Sequence, residues 1–441
     1  MTFDTDKQTL SDLDLLEREK GAKSILSLFN HTQSIGGYEM LRRTFSSPIA
    51  DSKLLENRVE AIKYFEKTVC CFNVDKVVLD FIEFYLIQDK KPTRLSLFNI
   101  IRKSIDHKLR PSNKTYLIKR GILYFIKVVN DLYDFVISID DNDVALQVVD
   151  YKKRVIDIVE NTNLKNCLNH KGKKRLNSIW VGKYDYFFRY SEFDKVRTIL
   201  DVVYEIDMLQ SVSTTISQYG FSYPKFKDSE ESVNIVGLFH PFVENCVPND
   251  LRIDYRKNIC FLTGPNMAGK STYLKSFGDS IYLAHIGFPV PAKSMETSVF
   301  RGLFSSINLA DNINKGYSHY YGEVLRVKYI AEKIYVRKNV VVIFDELFRG
   351  TNVKDAYEAS LAVISAFAKV RKSIFAISTH IIEVADTLDK HSCIDFKYFE
   401  IIVGDGIPSY TYTLKNGVTN DRLGLYILNR EKVIETIENS I

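Results

Sequence analysis

Along the first half of the chain, apolar positions recur at three- and four-residue spacing. Leu54, Leu55, Val59, Ile62 and Phe65 make one such stripe, and Ile199, Leu200, Val203, Ile206 and Leu209 make another. This period lines one face of an α-helix with apolar side chains. Residues up to about Phe226 therefore read as mostly helical, punctuated by Gly36-Gly37, Pro48, Pro92 and Pro111. The stretch Gly220-Phe-Ser-Tyr-Pro224 predicts a helix stop and a turn into new structure. Beyond it the pattern changes. Ile259–Thr263, Val340–Phe344 and Ser373–Ser378 are apolar along their whole length, as buried parallel strands are. Helical patterns follow two of them, from Lys270 and from Asp355, which is the alternation of an α/β domain. Cys393–Leu414, with Gly404-Asp-Gly406 and Pro408 between two β-branched and aromatic runs, reads as a hairpin closing the sheet. The expected architecture is an all-α domain over residues 1–225, then an α/β domain with a mainly parallel sheet over 226–441.

A chain of 441 residues, 45% apolar and 26% charged, is composed like an ordinary globular protein with room for two domains. No apolar run approaches the roughly 18 residues that span a bilayer. The acidic, polar start Met1-Thr2-Phe3-Asp4 is not that of a secretory leader. Six cysteines without CxxC spacing read as reduced, packed thiols, so a cytoplasmic protein is expected. The net charge of +5 is unevenly spread. Lys90, Lys91, Arg94, Arg102, Lys103, Lys108, Arg110, Lys114, Lys119 and Arg120 face a single acid, Asp106, giving that stretch +9 and the remainder −4. Lys171-Gly-Lys173-Lys174-Arg175 is a second cluster. Concentrated positive charge can neutralise phosphates, and it can equally well be a solvated helix face.

The chemistry lies in the second half. Gly264-Pro265-Asn266-Met267-Ala268-Gly269-Lys270-Ser271 fits GxxxxGK[ST] and lies between an expected strand and an expected helix. In such a loop backbone N–H groups and a helix N-terminus cradle phosphate oxygens. Lys270 would reach the β- and γ-phosphates, and Ser271 would ligate Mg²⁺. Val340–Phe344 delivers Asp345-Glu346 at its C-terminal end, where open parallel sheets bind ligands. Asp345 suits a metal ion and Glu346 an attacking water. The third strand ends in Thr379-His380, a polar pair able to sense a γ-phosphate. Asp-Glu after a strand is often an N-cap pair, and a lone histidine is often a satisfied core residue. Three such motifs at three strand ends argue jointly for a triphosphate site.

These residues resemble a known family. Thr263–Tyr273 looks like the phosphate loop of the MutS mismatch-repair ATPases, typically TGPNMGGKST. Ala284-His-Ile-Gly287-Phe-Pro-Val-Pro291-Ala292 is similar to that family's YIGSYVPA, Asp345–Thr351 to its DEIGRGT, and Ser378-Thr379-His380 to its ATH. Upstream, His240-Pro241 and Val247-Pro-Asn-Asp250 resemble its entry into the ATPase domain. His31-Thr32, Gly36, Leu41-Arg42, Pro48-Ile49 and Arg58 resemble the start of its core domain, and Tyr204–Asp207 with Tyr223-Pro224 the helix leading into its ATPase. The likeness runs from about residue 20 to 430.

The resemblance implies an ABC-class P-loop ATPase that uses ATP and Mg²⁺, preceded by a core/lever domain. It also implies a homodimer in which a signature serine from one subunit completes the other's site. That serine is Ser318, with Glu323 also kept, whereas His319 and Tyr320 depart from the family's S-T-F-x-x-E. Gly264, Pro265, Asn266, Met267, Ala268, Gly269, Lys270, Ser271 and Thr272 would hold the nucleotide, and Asp345 the metal with Ser271. Glu346, His380 and Ser318 in trans would act on the γ-phosphate. Where the family stacks a phenylalanine on the base, counting back from the loop lands on Cys246, with Phe239 or Phe242 as substitutes. Tyr412 falls at another base-contacting position. The mismatch-reading and connector domains are not expected. Phe81-Ile82-Glu83 spells the family's reading tripeptide, but inside a helical pattern, so it is taken as coincidence. No nuclease tail is expected either. The basic stretch falls in the lever-like part and suits phosphate contact with duplex DNA.

The leading expectation is a DNA-binding ATPase coupling nucleotide state to dimer and lever conformation, in mismatch repair or related DNA maintenance. The alternatives are a junction-binding ATPase controlling recombination and a non-hydrolysing ATP-gated scaffold. A membrane-transporter subunit would carry an LSGGQ-like signature, which the sequence lacks.

Overall fold

The all-apolar run Ile259–Thr263 is the centre of the second half: a strand buried at every residue, flanked on both sides by other strands. The computed structural model describes residues 2–17, 21–67, 72–73, 75–87, 113–140, 145–227, 231–307, 319–404, 407–419 and 432–438. Its strands, in chain order, are β1 Pro224–Lys227, β2 Ser232–Leu238, β3 Asn249–Asp254, β4 Ile259–Thr263, β5 Ser294–Ser298, β6 Leu303–Ser306, β7 Val341–Asp345, β8 Ile374–Ser378, β9 Ile394–Gly404 and β10 Ile407–Asn416.

Six of these form a sheet in the order β10-β9-β4-β8-β7-β6. Every neighbouring pair is parallel except the antiparallel hairpin β9–β10 at one edge. The expected mainly parallel sheet with a closing hairpin is therefore present, its strand limits within two residues of the sequence pattern. The helices Lys270–Ala284 and Val353–Phe367 follow β4 and β7, the second starting two residues before the apolar pattern suggested. Asn352 explains that start, since its side chain accepts the Asp355 N–H as an N-cap. One face of the sheet is packed by aromatic rings: Phe344 stacks on Phe367 at 5.7 Å, and Phe367 on Phe375 at 4.8 Å. A second sheet, ordered β1-β5-β2-β3, is mixed.

The chain divides into two compact units. One comprises Met1–Leu28, Pro48–Glu56 and Ile216–Ile441, the other Phe29–Ser47 and Asn57–Thr215. This differs from a single cut at residue 225. Hydrogen bonds explain the difference: Asp4 exchanges backbone bonds with Arg301 and Leu303 beside β6, and Asp12 accepts from the Ser305 hydroxyl and the Ile307 N–H. Asp6 caps its own short helix, Lys7–Asp12, and pairs with Arg326 at 2.7 Å. These polar bonds are local to the first few residues and carry no hydrophobic period, so apolar spacing did not register them.

The second unit contains only helices among its described residues. The stripes read from the sequence pack inward in the helices Ser52–Lys67 and Phe193–Tyr219, although Leu54 is exposed. Gly36-Gly37 is not a break. Both residues lie in the first turn of the helix Ile35–Phe45, against Phe193–Tyr219. A Cβ on Gly36 would come 2.4 Å from the Tyr204 ring, and one on Gly37 2.1 Å from the Asp207 carboxylate. Buried Asp207 accepts the N–H groups of Gln33 and Ser34 and the Ser34 hydroxyl, and that hydroxyl caps Gly37. Phe81-Ile82-Glu83 lies within the helix Lys76–Leu86, where Glu83 pairs with Arg197 at 2.7 Å and accepts the Tyr204 hydroxyl. Lys171–Arg175 forms an exposed turn and not a helix face. Lys90, Lys91, Arg94, Arg102, Lys103, Lys108 and Arg110 lie outside the described residues. Among the described residues no helix is long and apolar enough to cross a membrane, and Cys167, Cys246, Cys260 and Cys393 are free thiols.

Candidate active site

Three neighbouring parallel strands bring the candidate motifs to one edge. Leu262 of β4 and Asp345 of β7 are both in register with Ser378 of β8. The residues just past these positions therefore leave the sheet at the same level. β8 lies between the other two strands, and the Thr379 N–H donates to the Leu262 carbonyl at 3.0 Å.

After β4 the chain turns through Gly264 (φ 130°), Met267 (φ 67°) and Gly269 (φ 105°) into the helix beginning at Lys270. The two glycines adopt a backbone that other residues reach only with strain. Gly269 occupies the N-cap without a side-chain bond. The first turn of that helix thus carries the positive end of its dipole without a side-chain cap, an arrangement suited to an anion. Lys270 is buried, and its ammonium donates to the carbonyls of Gly264 at 2.7 Å and Pro265 at 2.9 Å. Burial pulls its pKa below the ordinary lysine value, and the nearby Glu346 and Asp345 carboxylates oppose this.

Glu346 is the meeting point. Its carboxylate lies 2.8 Å from Arg349 Nε, 3.5 Å from His380 Nδ1 and 3.9 Å from Lys270 Nζ. Its pKa is held below the ordinary carboxylate range, first by the hydrogen bond from His380, then by the charges of Arg349 and Lys270, against burial that pushes the other way. Glu346 and Phe348 both have positive φ, 56° and 62°, so the loop after β7 is strained where it presents these groups. Asp345 is buried beside it, accepting the Ser378 hydroxyl on Oδ1, with Arg349 3.7 Å from Oδ2.

Glu323 holds that loop from behind, accepting the N–H groups of Arg349 at 3.1 Å and Gly350 at 3.3 Å. A Cβ on Gly350 would meet the Tyr320 nitrogen at 2.5 Å, which accounts for the glycine. Ser318 lies outside the described residues. Thr379 faces inward, its hydroxyl accepting the Ile381 N–H, while His380 stays half exposed.

A cavity of about 500 Å³, within the usual span of small-molecule sites, runs along the glycine-rich loop. It is lined by Asn266, Met267, Gly269, Lys270, Ser271, Thr272 and Glu346. Phe239, His240, Cys246, Val247 and Tyr412 line it as well, with the Tyr412 ring close to Gly269. Of the two phenylalanines expected near a base, Phe239 lines the cavity and Phe242 does not. His240 was named in the sequence only as part of a motif. Burial pulls its pKa down to about 4, so it lines the cavity as a neutral ring. Tyr412 sits at a bulge in the hairpin with φ 54°. The Asn249 side chain fixes it there: Nδ2 donates to the Tyr412 carbonyl at 2.9 Å and Oδ1 accepts the Leu414 N–H at 2.7 Å. A clamp between residues some 160 positions apart leaves no local signal in the sequence. A second, polar cavity of about 310 Å³ lies across the Asp345–Arg349 loop, and Glu346 lines both.

Residues 260–439 match the family model MutS domain V. The chain is 29% identical over 241 residues to the DNA mismatch repair protein MutS of Lactococcus lactis subsp. cremoris, an alignment covering 53% of this chain and 28% of that protein. The MutS protein of Petrotoga mobilis is 29% identical over 253 residues, 56% of this chain and 31% of its own length. That of Ehrlichia ruminantium is 33% identical over 240 residues, 53% and 29% of the respective chains. These alignments span under a third of each relative's length.

Proposed function

We propose that this chain, MutS-like over its C-terminal half, is a Mg²⁺-dependent ATPase whose nucleotide state governs how two copies hold duplex DNA. One observation carries the ATPase reading. Lys270, Arg349 and His380, from three different segments, converge within 4 Å of the Glu346 carboxylate beside a helix N-terminus left without a side-chain cap.

In the 500 Å³ cavity a nucleotide would lay its phosphates along the glycine-rich loop and its base against Phe239, Cys246 or Tyr412, all of which line it. Lys270 exchanges the Gly264 and Pro265 carbonyls for β- and γ-phosphate oxygens. The Ser271 hydroxyl and the Asp345 carboxylate are hard oxygen donors, as Mg²⁺ requires, and would hold it. Bound there, Mg²⁺ neutralises charge developing on the phosphates.

Glu346 stays ionised through the physiological range and accepts a hydrogen bond from a water, fixing its direction of approach. A carboxylate whose pKa is lowered is a weaker proton acceptor than an ordinary glutamate. Lys270, on turning to the phosphates, removes one of the cations that lower it, and the basicity of Glu346 then rises. Ser318 of a second copy would complete the site across a homodimer. The basic residues Lys90, Lys91, Arg94, Arg102, Lys103, Lys108 and Arg110 would contact DNA phosphates, which position a protein without reading bases. The names of the MutS relatives support a role in mismatch repair or related DNA maintenance.

ATP turnover by the purified protein with Mg²⁺, measured with matched, mismatched and branched duplexes at two salt concentrations, tests this. We expect Mg²⁺-dependent turnover whose DNA response weakens steeply as salt rises. Failure to bind ATP with Mg²⁺ contradicts the ATPase reading. Binding without turnover, together with ATP-driven dimerisation, points to the scaffold alternative, and a response confined to branched duplexes points to junction binding.

A further inference from the structure

One hydroxyl touches both carboxylate residues of the site. Ser378, the last residue of β8 and fully buried, donates through Oγ to Asp345 Oδ1. The same Oγ accepts the Glu346 N–H at 3.2 Å, and the Ser378 carbonyl accepts that N–H at 3.1 Å. Asp345 and Ser378 are register partners, so the contact is set by the sheet and not by a flexible loop.

We infer that Ser378 is a positioning residue: it fixes the Asp345 carboxylate for the metal and holds the strained Glu346 peptide in place. Chemistry supports the assignment. A buried carboxylate oxygen needs a donor, and the donor chosen also decides which oxygen remains for a cation. With Oδ1 engaged by Ser378, Oδ2 is the oxygen left for a cation, with Arg349 3.7 Å from it. Glu346 at φ 56° retains its conformation only if its surroundings over-determine it, and two acceptors on one residue supply that. Ser378 touches neither substrate nor metal in this scheme. It acts through Asp345 and Glu346, and the inference rests on the ATPase reading.

The test compares the unaltered protein with Ser378→Ala, which removes one oxygen and adds no volume. A fluorescent ATP analogue, mant-ATP, reports binding at increasing Mg²⁺. The Mg²⁺ concentration giving half-maximal Mg²⁺-dependent binding should rise about tenfold, the usual scale for a residue that orients a metal ligand. Binding without Mg²⁺ should stay unchanged, whereas the thermal midpoint should fall modestly, because Asp345 Oδ1 loses its buried donor. In an Asp345→Asn background the same substitution should produce no further Mg²⁺ shift. Should Ser378→Ala fail to fold, Ser378→Cys, slightly larger and only a weak donor, should shift the midpoint the same way. Mg²⁺-dependent binding in the unaltered protein with an unshifted variant midpoint overturns this inference alone. Absence of Mg²⁺-dependent binding in the unaltered protein overturns the ATPase reading with it.

Discussion

Arg349 Nε lies 2.8 Å from Glu346 Oε2, three residues apart on the strained loop that follows β7. With His380 3.5 Å from the same oxygen, this contact gives Glu346 an unusual electrostatic setting for a residue expected to handle water. The largest lowering influence on its pKa is the His380 hydrogen bond.

That setting yields a pH prediction. Turnover requires Glu346 ionised, so a depressed pKa carries activity below the pH at which an ordinary glutamate is protonated. His380→Ala removes the main lowering influence, and the acid limb of the pH–kcat profile should move upward. A profile whose acid limb stays in place would show that another group sets it.

Two histidines, His285 buried and His240 partly buried, make the stability of the first unit acid-sensitive. His285 has its Nδ1 bonded to the Ile281 carbonyl at 2.7 Å and its Nε2 accepting the Phe300 N–H at 2.8 Å, which defines one neutral tautomer. Burial lowers the pKa of His285 and of His240 from 6.5 to about 4. Between those values the unfolded chain binds the proton and the folded one does not, so stability is full above pH 6.5 and falls toward pH 4. The loss at His285 is on the order of 3 kcal/mol. Denaturant unfolding at pH 7 and pH 4.5 checks this, and a flat profile would contradict it.

Gly37→Ala should destabilise the helical unit. The added methyl would lie 2.1 Å from the Asp207 carboxylate, which is already committed to three donors around Ser34. A cost of about 1–3 kcal/mol is expected for such overpacking. Chemical denaturation reads it, and an unchanged midpoint would show that the Asp207 cluster yields freely.

Asn249→Ala should weaken ATP binding through Tyr412. It frees the Tyr412 carbonyl and the Leu414 N–H from the clamp that holds the bulge. We expect KM for ATP to rise about fivefold, in line with about 1 kcal/mol for a lost hydrogen bond, with kcat little changed. In a Tyr412→Ala background the same substitution should add nothing. Additive losses would mean that Asn249 acts elsewhere.

The apolar strands, the helices after them and the strand-end motifs were all readable in the sequence, because buried parallel strands and GxxxxGK[ST] are local patterns. Less was readable wherever the cause is a long-range polar bond. The docking of Asp4, Asp6 and Asp12 against Arg301, Leu303, Ser305 and Arg326, the Asn249 clamp and the Asp207 cluster each join residues more than 150 positions apart. Gly36-Gly37 was read as punctuation because glycine usually breaks helices, whereas here a close approach of two helices requires it. Ser378 stands in the sequence only as part of the Ser378-Thr379-His380 motif, because a serine at a strand end carries no spacing signal of its own. Its importance comes from β8 lying between β4 and β7.

The most direct test of the central claim is Glu346→Gln under single-turnover conditions with Mg²⁺ and ATP. The substitution keeps the shape and removes the charge that Lys270, Arg349 and His380 converge on. ATP should still bind while cleavage slows by about 100-fold or more, the scale of a lost base or water-orienting group. Cleavage at the unaltered rate would contradict the claim.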